Sequence, residues 1–286
     1  MLTTTDHSRD AAGLRYVYPV VSRRAGGISI GINLNPNNAC NWRCVYCQVP
    51  DLKRGGPPPI DLGLLEAELD ELLRRVASAD FLAELAPPGA RRIVDVAFSG
   101  NGEPTSAPEF GSAVDIVERV LVRHGLLGTV KIRLITNGSL VDRLRVRAAL
   151  ARLGQLGGEV WFKVDAVSTK GTSSGASPAP TFRVNGVRLN ADTMRRRLRL
   201  CGGLVPTWVQ TCVFEWDGSP PAATEVAAYL DFLASMKDAV AGVLLYGLAR
   251  PSCQPEAGRL GRLPEIWLAE LAWKIEKLGL TVRVSP

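Results

Sequence analysis

Six short runs rich in β-branched and apolar residues alternate with stretches of helical periodicity, and this alternation limits the fold more than any other feature of the chain. The strand candidates are Ser29–Leu34, Ile93–Ser99, Val130–Thr136, Glu159–Asp165, Pro206–Phe214 and Gly242–Leu248. Several are nearly continuous apolar runs, as expected of parallel strands covered on both faces. Helix candidates follow at Leu62–Ala77, Ala107–His124, Val141–Leu153, Ala191–Cys201, Pro221–Met236 and Pro264–Leu278. Asp61 and Asp192 stand where N-caps belong, and Gly154, Gly202 and Gly279 where helices stop. Thr281–Val284 adds a final strand. Six βα units in a row predict an α/β fold with right-handed crossovers. An open doubly wound sheet and a partial barrel, parallel strands inside and helices outside, both satisfy the pattern. In either, function gathers at the C-terminal ends of the strands.

The chain has 286 residues, room for one large domain or two small ones, and its 46% apolar content is enough for a sizeable core. We expect an N-terminal extension over residues 1–28 and a core domain over 29–286 that includes the C-terminal helix and strand. The first residues lack a basic-then-apolar leader pattern, and no apolar run approaches the roughly 18 residues of a membrane span, so a cytoplasmic protein with reduced thiols and no membrane partner is expected. The net charge of +6 permits an anionic partner without requiring one. Lys53–Pro59 reads as a stiff connector. Ser168–Pro180 reads as a mobile loop, either a lid at the catalytic end or a plain surface excursion.

Chemistry concentrates in Cys40, Cys44 and Cys47, spaced C-x3-C-x2-C. Three thiolates so placed can hold three irons of a [4Fe–4S] cube and leave the fourth open to a small molecule. A structural zinc site wants four ligands. His7 and His124 are the only histidines, neither near the loop, and Cys201, Cys212 and Cys253 are single and widely spaced. Zinc with a distant fourth ligand, or three inert buried thiols, are the competing readings, and a disulfide framework suits neither the length nor the cysteine count.

Polar residues recur at the strand ends. The second strand runs into Gly100-Asn101-Gly102-Glu103-Pro104, whose glycines let backbone approach a ligand and whose carbonyls could accept from an ammonium group. Thr136 and Asn137 end the third and suit a ribose or carboxylate; Lys163 and Asp165 share one face at the end of the fourth. Gln210 lies in the fifth, and Arg250 follows the sixth. Each has a plainer reading: a glycine turn, a helix cap, a local salt bridge. Arg250, with Arg23 and Arg24, suits a phosphate or carboxylate, while the basic run Arg195–Arg199 reads as a solvated helix face.

These residues resemble the radical S-adenosylmethionine (SAM) superfamily. The cysteine loop, with Tyr46 just before the third cysteine, resembles its cluster loop, and Gly100–Pro104 resembles its Gly-Gly-Glu-Pro segment. The resemblance implies a partial (β/α)6 radical SAM barrel. Cys40, Cys44 and Cys47 would be the metal ligands. Tyr46, Gly100, Asn101, Gly102, Glu103, Thr136, Asn137, Lys163, Asp165 and Gln210 would contact the cofactor, and Lys163, Asp165 and Arg250 are the candidate catalytic residues. It further implies a [4Fe–4S] cluster and SAM as cofactors, an electron donor such as flavodoxin or ferredoxin, and hydrogen abstraction by a 5′-deoxyadenosyl radical. Pro19–Arg24, Gly31–Pro36 and Phe98–Thr105 also resemble iron–sulfur oxidoreductases related to wyosine (tRNA-imidazoguanosine) synthase. That synthase uses a further cysteine set upstream, and this chain has no cysteine before Cys40. A tRNA base, a peptide and a small metabolite are all open as substrates. An iron–sulfur electron carrier and a zinc-stabilised RNA-binding module are the competing functions.

Overall fold

The computed structural model describes residues 13–22, 26–168 and 180–286. Arg23, Arg24 and most of the expected loop at 168–180 lie outside the described residues. The chain divides into two compact units, one of residues 1–41, 55–136 and 143–159, the other of residues 42–54, 137–142 and 160–286.

In the first unit, β1 (Val17–Ser22) pairs antiparallel with β2 (Gly27–Asn33), which runs parallel to β3 (Ile93–Ser99), itself parallel to β4 (Lys131–Thr136). The register sets Val17 opposite Ile32, Ile30 opposite Val96 and Val96 opposite Ile132, and all of β2 is buried. β1 lies within the stretch expected as an extension and was not among the expected strands. Its run Val17-Tyr18-Pro19-Val20-Val21 has strand character, and Pro19 is tolerated because β1 is an edge strand. Buried Glu68 anchors its entry: the carboxylate accepts from the N–H groups of Arg15 and Tyr16, both at 2.8 Å, and of Val17 at 3.2 Å.

Four helices complete this unit: α1 (Leu62–Val76), α2 (Ala79–Leu85), α3 (Phe110–Arg123) and α4 (Leu144–Gln155). The Asp61 side chain caps α1, accepting from the Leu64 N–H at 2.9 Å, as the sequence predicted. Leu65, Leu69, Leu72 and Leu73 bury one face of α1, and Phe110, Val114, Val117 and Leu121 one face of α3. Arg119–Glu66 at 2.6 Å and Arg123–Asp70 at 2.9 Å join the exposed edges of the two helices. Early in the strands, Asp95 accepts from the Ser29 hydroxyl and pairs with Arg133, which also donates to Glu159 at 2.6 Å. Asp95 and Arg133 are buried and Glu159 half-buried, and the three satisfy one another.

The second unit continues from β5 (Glu159–Lys163) to β6 (Thr207–Cys212), β7 (Gly242–Tyr246) and β8 (Val282–Ser285), all parallel. Lys163 stands opposite Gln210, Val209 opposite Val243, and Val243 opposite Val282. Its helices are α5 (Pro180–Asn185), α6 (Ala191–Gly202), α7 (Ala223–Ala234) and α8 (Glu265–Glu276). Asn190, not Asp192, caps α6: its side chain accepts from the Thr193 N–H at 2.8 Å. Asp192 falls in the first turn, where a negative charge favours the helix dipole. α5 was not expected; six residues carry too little periodicity to stand out. No described helix is long and apolar enough to cross a membrane. Both units are thus α/β, with parallel strands and helical connections.

Candidate functional site

The first unit builds a backbone cradle where β2 and β3 end. Asn33 Oδ1 accepts from the N–H of Asn35 at 3.0 Å and of Asn101 at 3.1 Å. Asn35 Nδ2 donates to the Ala39 carbonyl at 3.0 Å, and Asn101 Nδ2 donates to Asn38 Oδ1 at 2.6 Å. The stretch leading to Cys40 is therefore laced to the Gly-Asn-Gly turn. Glycine is required at both positions. A Cβ on Gly102 would come 2.1 Å from the Ala39 carbonyl oxygen, and Gly100 has φ of +129° with Asn33 Oδ1 2.5 Å from a notional Cβ.

Glu103 is 2% exposed, and one carboxylate oxygen accepts from three donors: the Thr105 N–H at 3.2 Å and the Thr105 and Thr136 hydroxyls, each at 2.6 Å. The structure thus joins Glu103 and Thr136, predicted as separate contacts, in one hydrogen-bond cluster. Cys40 is half-buried, and its carbonyl accepts from the Gly55 N–H at 3.0 Å.

In the second unit, Cys44 and Cys47 are half-buried within a loop held from several sides. Asn185, at the end of α5, donates from Nδ2 to Cys44 Sγ at 3.3 Å and to Asp165 Oδ2 at 2.9 Å, and its carbonyl accepts from the Arg43 N–H at 3.1 Å. The Val184 carbonyl accepts from the Val45 N–H at 2.9 Å. After β7, the Cys47 carbonyl receives the Cys253 N–H at 2.9 Å and the Ser252 hydroxyl at 3.1 Å, and Gln254 donates to the Val49 carbonyl at 3.1 Å. Arg43 forms a two-pronged ion pair with Glu256, at 2.9 and 2.6 Å. The Arg250 carbonyl accepts from Gln48 at 3.5 Å, which places Arg250 beside the loop. Asn137 caps its own turn, accepting from the Ser139 N–H at 3.0 Å.

Asp165 is the junction of this unit. It accepts the Tyr46 hydroxyl, Asn185 Nδ2 and, at 3.0 Å, the Cys212 N–H. Tyr46 itself packs with Val45, Val184, Cys212 and Phe214. Lys163 is on the same side, as alternation predicted: its ammonium lies 4.9 Å from the centre of the Tyr46 ring and donates to the Tyr246 hydroxyl at 3.3 Å. The two residues do not pair with each other, and Lys163 makes no ion pair among the described residues. Burial pulls its pKa down, but Tyr246 and the Asp165 carboxylate push it further up, so the ammonium stays charged. Burial pushes the Cys44 thiol up to about 12; Lys163 and the Asn185 hydrogen bond act against that rise.

Opposite Lys163 on the neighbouring strand, Gln210 is 1% exposed, and neither atom of its carboxamide has a partner among the described residues. The half-buried ammonium has one hydrogen bond and the buried amide beside it none, and a buried amide left so is costly unless a ligand completes it. Asn185, Ser252, Gln254 and Glu256 escaped the sequence reading because each acts through a contact that only folding creates.

The donor set fits an iron–sulfur cube. The three cysteines are half-buried and form no disulfide among the described residues. A cube takes one thiolate per iron, and the three cysteines within eight consecutive residues can supply three.

Residues 34–173 match the family profile described as the Radical SAM superfamily. Among curated proteins, the chain is 28% identical over 134 residues to "GTPase Obg" of Brachyspira hyodysenteriae (46% of this chain, 17% of that protein). It is 30% identical over 136 residues to UPF0026 protein slr1464 of Synechocystis sp. (47% of this chain, 44% of that protein). The chain thus spans less than half the length of either curated relative. A solved radical SAM methyltransferase from Sphaerobacter thermophilus matches 91% of this chain and 66% of its own with a TM-score of 0.56 at 15% identity, a likeness that shows the fold. The radical SAM profile spans the cysteine loop, the Gly-Asn-Gly-Glu-Pro turn and β5 of this chain, and the superfamily it describes uses a [4Fe–4S] cluster and SAM as cofactors.

Proposed function

We propose that this chain is an enzyme that cleaves SAM reductively at a [4Fe–4S] cluster held by Cys40, Cys44 and Cys47, and removes a hydrogen atom from a substrate. Bound together, the cluster and SAM supply one-electron cleavage of the sulfur–C5′ bond and a 5′-deoxyadenosyl radical. The chain's own residues bind, orient and keep water out. Gly100 and Gly102 let the turn pack closely on Asn33, Asn35 and Ala39, and the turn's carbonyls would receive the SAM ammonium. Glu103 does not face the ligand alone: it fixes Thr136, and the pair sets the turn. Asp165 acts as a positioning residue, because the Tyr46 hydroxyl, Asn185 and the Cys212 N–H already occupy its oxygens. It holds Tyr46, whose backbone would receive adenine. Lys163 and Gln210 are the groups left to receive a carboxylate or hydroxyl.

One observation carries this reading beyond the profile match: the in-register pair of half-buried Lys163 and buried Gln210, whose polar atoms lack hydrogen-bond partners among the described residues apart from the Tyr246 hydroxyl. The test is anaerobic reconstitution with iron and sulfide, reduction, and measurement of 5′-deoxyadenosine from SAM. Formation by the native chain and its loss in Cys44→Ala are expected. An iron–sulfur protein that yields none would be an electron carrier, and zinc without iron or sulfide would favour the RNA-binding alternative. A flavodoxin- or ferredoxin-type donor, a cytoplasmic setting and a tRNA substrate belong to the same proposal. The tRNA arm predicts binding that weakens steeply with salt, as phosphate contacts require.

A further inference from the structure

Behind the cluster loop, within the second unit, lies a cavity of ≈ 260 Å³ that the reading above does not use. Its walls are mostly apolar and partly aromatic, with Phe214, Trp216, Trp267 and Tyr229 among them, and prolines 220 and 221 lead into α7 at one side. On α5, Arg183 lines the cavity, while Asn185, two residues on, holds Cys44 and Arg43.

Arg183 is the polar feature that defines the cavity. One end of its guanidinium pairs with Glu225, and its plane lies 5.6 Å from the centre of the Trp216 ring. Its Nε–H is buried and has no acceptor among the described residues. A donor left so is costly, and a ligand that supplies an acceptor recovers that cost. The charge balance restricts the acceptor. Glu225 already neutralises Arg183, and Asp165 adds a second carboxylate to the wall. A further anion would face two like charges, whereas a neutral carbonyl oxygen would not. The rings favour a flat apolar body of about a dozen non-hydrogen atoms or fewer, from the volume and the close packing of interiors.

We propose that this cavity is a binding site for a neutral aromatic compound bearing a carbonyl acceptor, with Arg183 as the residue that reads the carbonyl. The site is independent of SAM cleavage and stands or falls separately from it. Titration calorimetry on the anaerobically reconstituted full chain, with acetophenone, ethylbenzene and benzoate as probes, tests it. Acetophenone should bind about tenfold tighter than ethylbenzene, which lacks the acceptor, and tighter than benzoate. Arg183→Met should erase the margin over ethylbenzene, and Val226→Trp, which fills the cavity from α7, should abolish binding of all three. Equal binding of acetophenone and ethylbenzene, a preference for benzoate, a margin that survives Arg183→Met, or no binding at millimolar probe would each overturn the proposal. Should Arg183→Met not fold, the probe series and Val226→Trp still decide.

Discussion

At the residue scale, the half-buried ammonium of Lys163 sets function against stability. It has one hydrogen bond, two tyrosine rings and no ion pair among the described residues, so removing it costs the fold little. Lys163→Met should leave the melting temperature unchanged or higher, yet weaken SAM binding by about tenfold or more, the loss expected for a hydrogen bond to a charged group at roughly 1.5–3 kcal/mol. Melting curves beside equilibrium SAM binding check this; a variant that melts well below the parent while binding SAM normally would make Lys163 structural. Asn185 permits a finer test. Its amide donates to Cys44 Sγ, and hydrogen bonds to cluster sulfurs raise reduction potentials. Asn185→Ala should lower the potential of the cluster in a redox titration followed by electron paramagnetic resonance, whereas an unchanged potential would deny Cys44 its place as a ligand.

At the element scale, α1 and α3 are joined along their exposed edges by charge. Arg123, Arg74 and His124 hold the Asp70 carboxyl well below the usual carboxylate range, and Arg119 and Arg123 lower Glu66. A carboxylate whose folded pKa is depressed stabilises the fold above its unfolded pKa, near 3.9, and loses that contribution as pH falls through the folded value. Asp70→Asn should therefore lower the urea midpoint at pH 6, and the difference from the parent should shrink between about pH 4 and pH 2. A gap that stays constant over that range would mean the effect is not electrostatic. The strands carry a costlier device. Arg133 bridges Asp95 and Glu159 inside the first unit, and Arg133→Met would strand buried Asp95 beside Glu159. A loss of about 3–5 kcal/mol in denaturant unfolding is expected, the range for breaking one side of a buried pair.

At the scale of the whole molecule, the cysteine loop is held by protein contacts: α5, the segment after β7 and the Arg43–Glu256 pair all bind it by hydrogen bonds. A cluster that binds such a prepared loop stabilises the folded chain over the unfolded one by mass action. Removing iron with a chelator under anaerobic conditions should lower the melting temperature without abolishing cooperative unfolding. A chain that loses all cooperativity would show that the loop is built by the metal rather than ready for it.

The order of strands and helices was legible because it depends on periodicity, a property of neighbouring residues, and β2 through β8 formed in or beside the expected runs. β1 was missed because Pro19 interrupts its pattern, and α5 because it is too short for a period to declare itself. The cysteine spacing, within eight consecutive residues, likewise needed no tertiary contact to suggest a three-thiolate centre, the role proposed above. The partnerships had no such local sign. Tyr46 meets Asp165 across 119 positions and Arg43 meets Glu256 across 213. Only folding decided that Asp165 and Glu103 grip protein while the Gln210 amide has no hydrogen-bond partner among the described residues and Lys163 donates to Tyr246 alone. A hydrogen bond depends on distance in space, and distance along the chain carries almost no information about it.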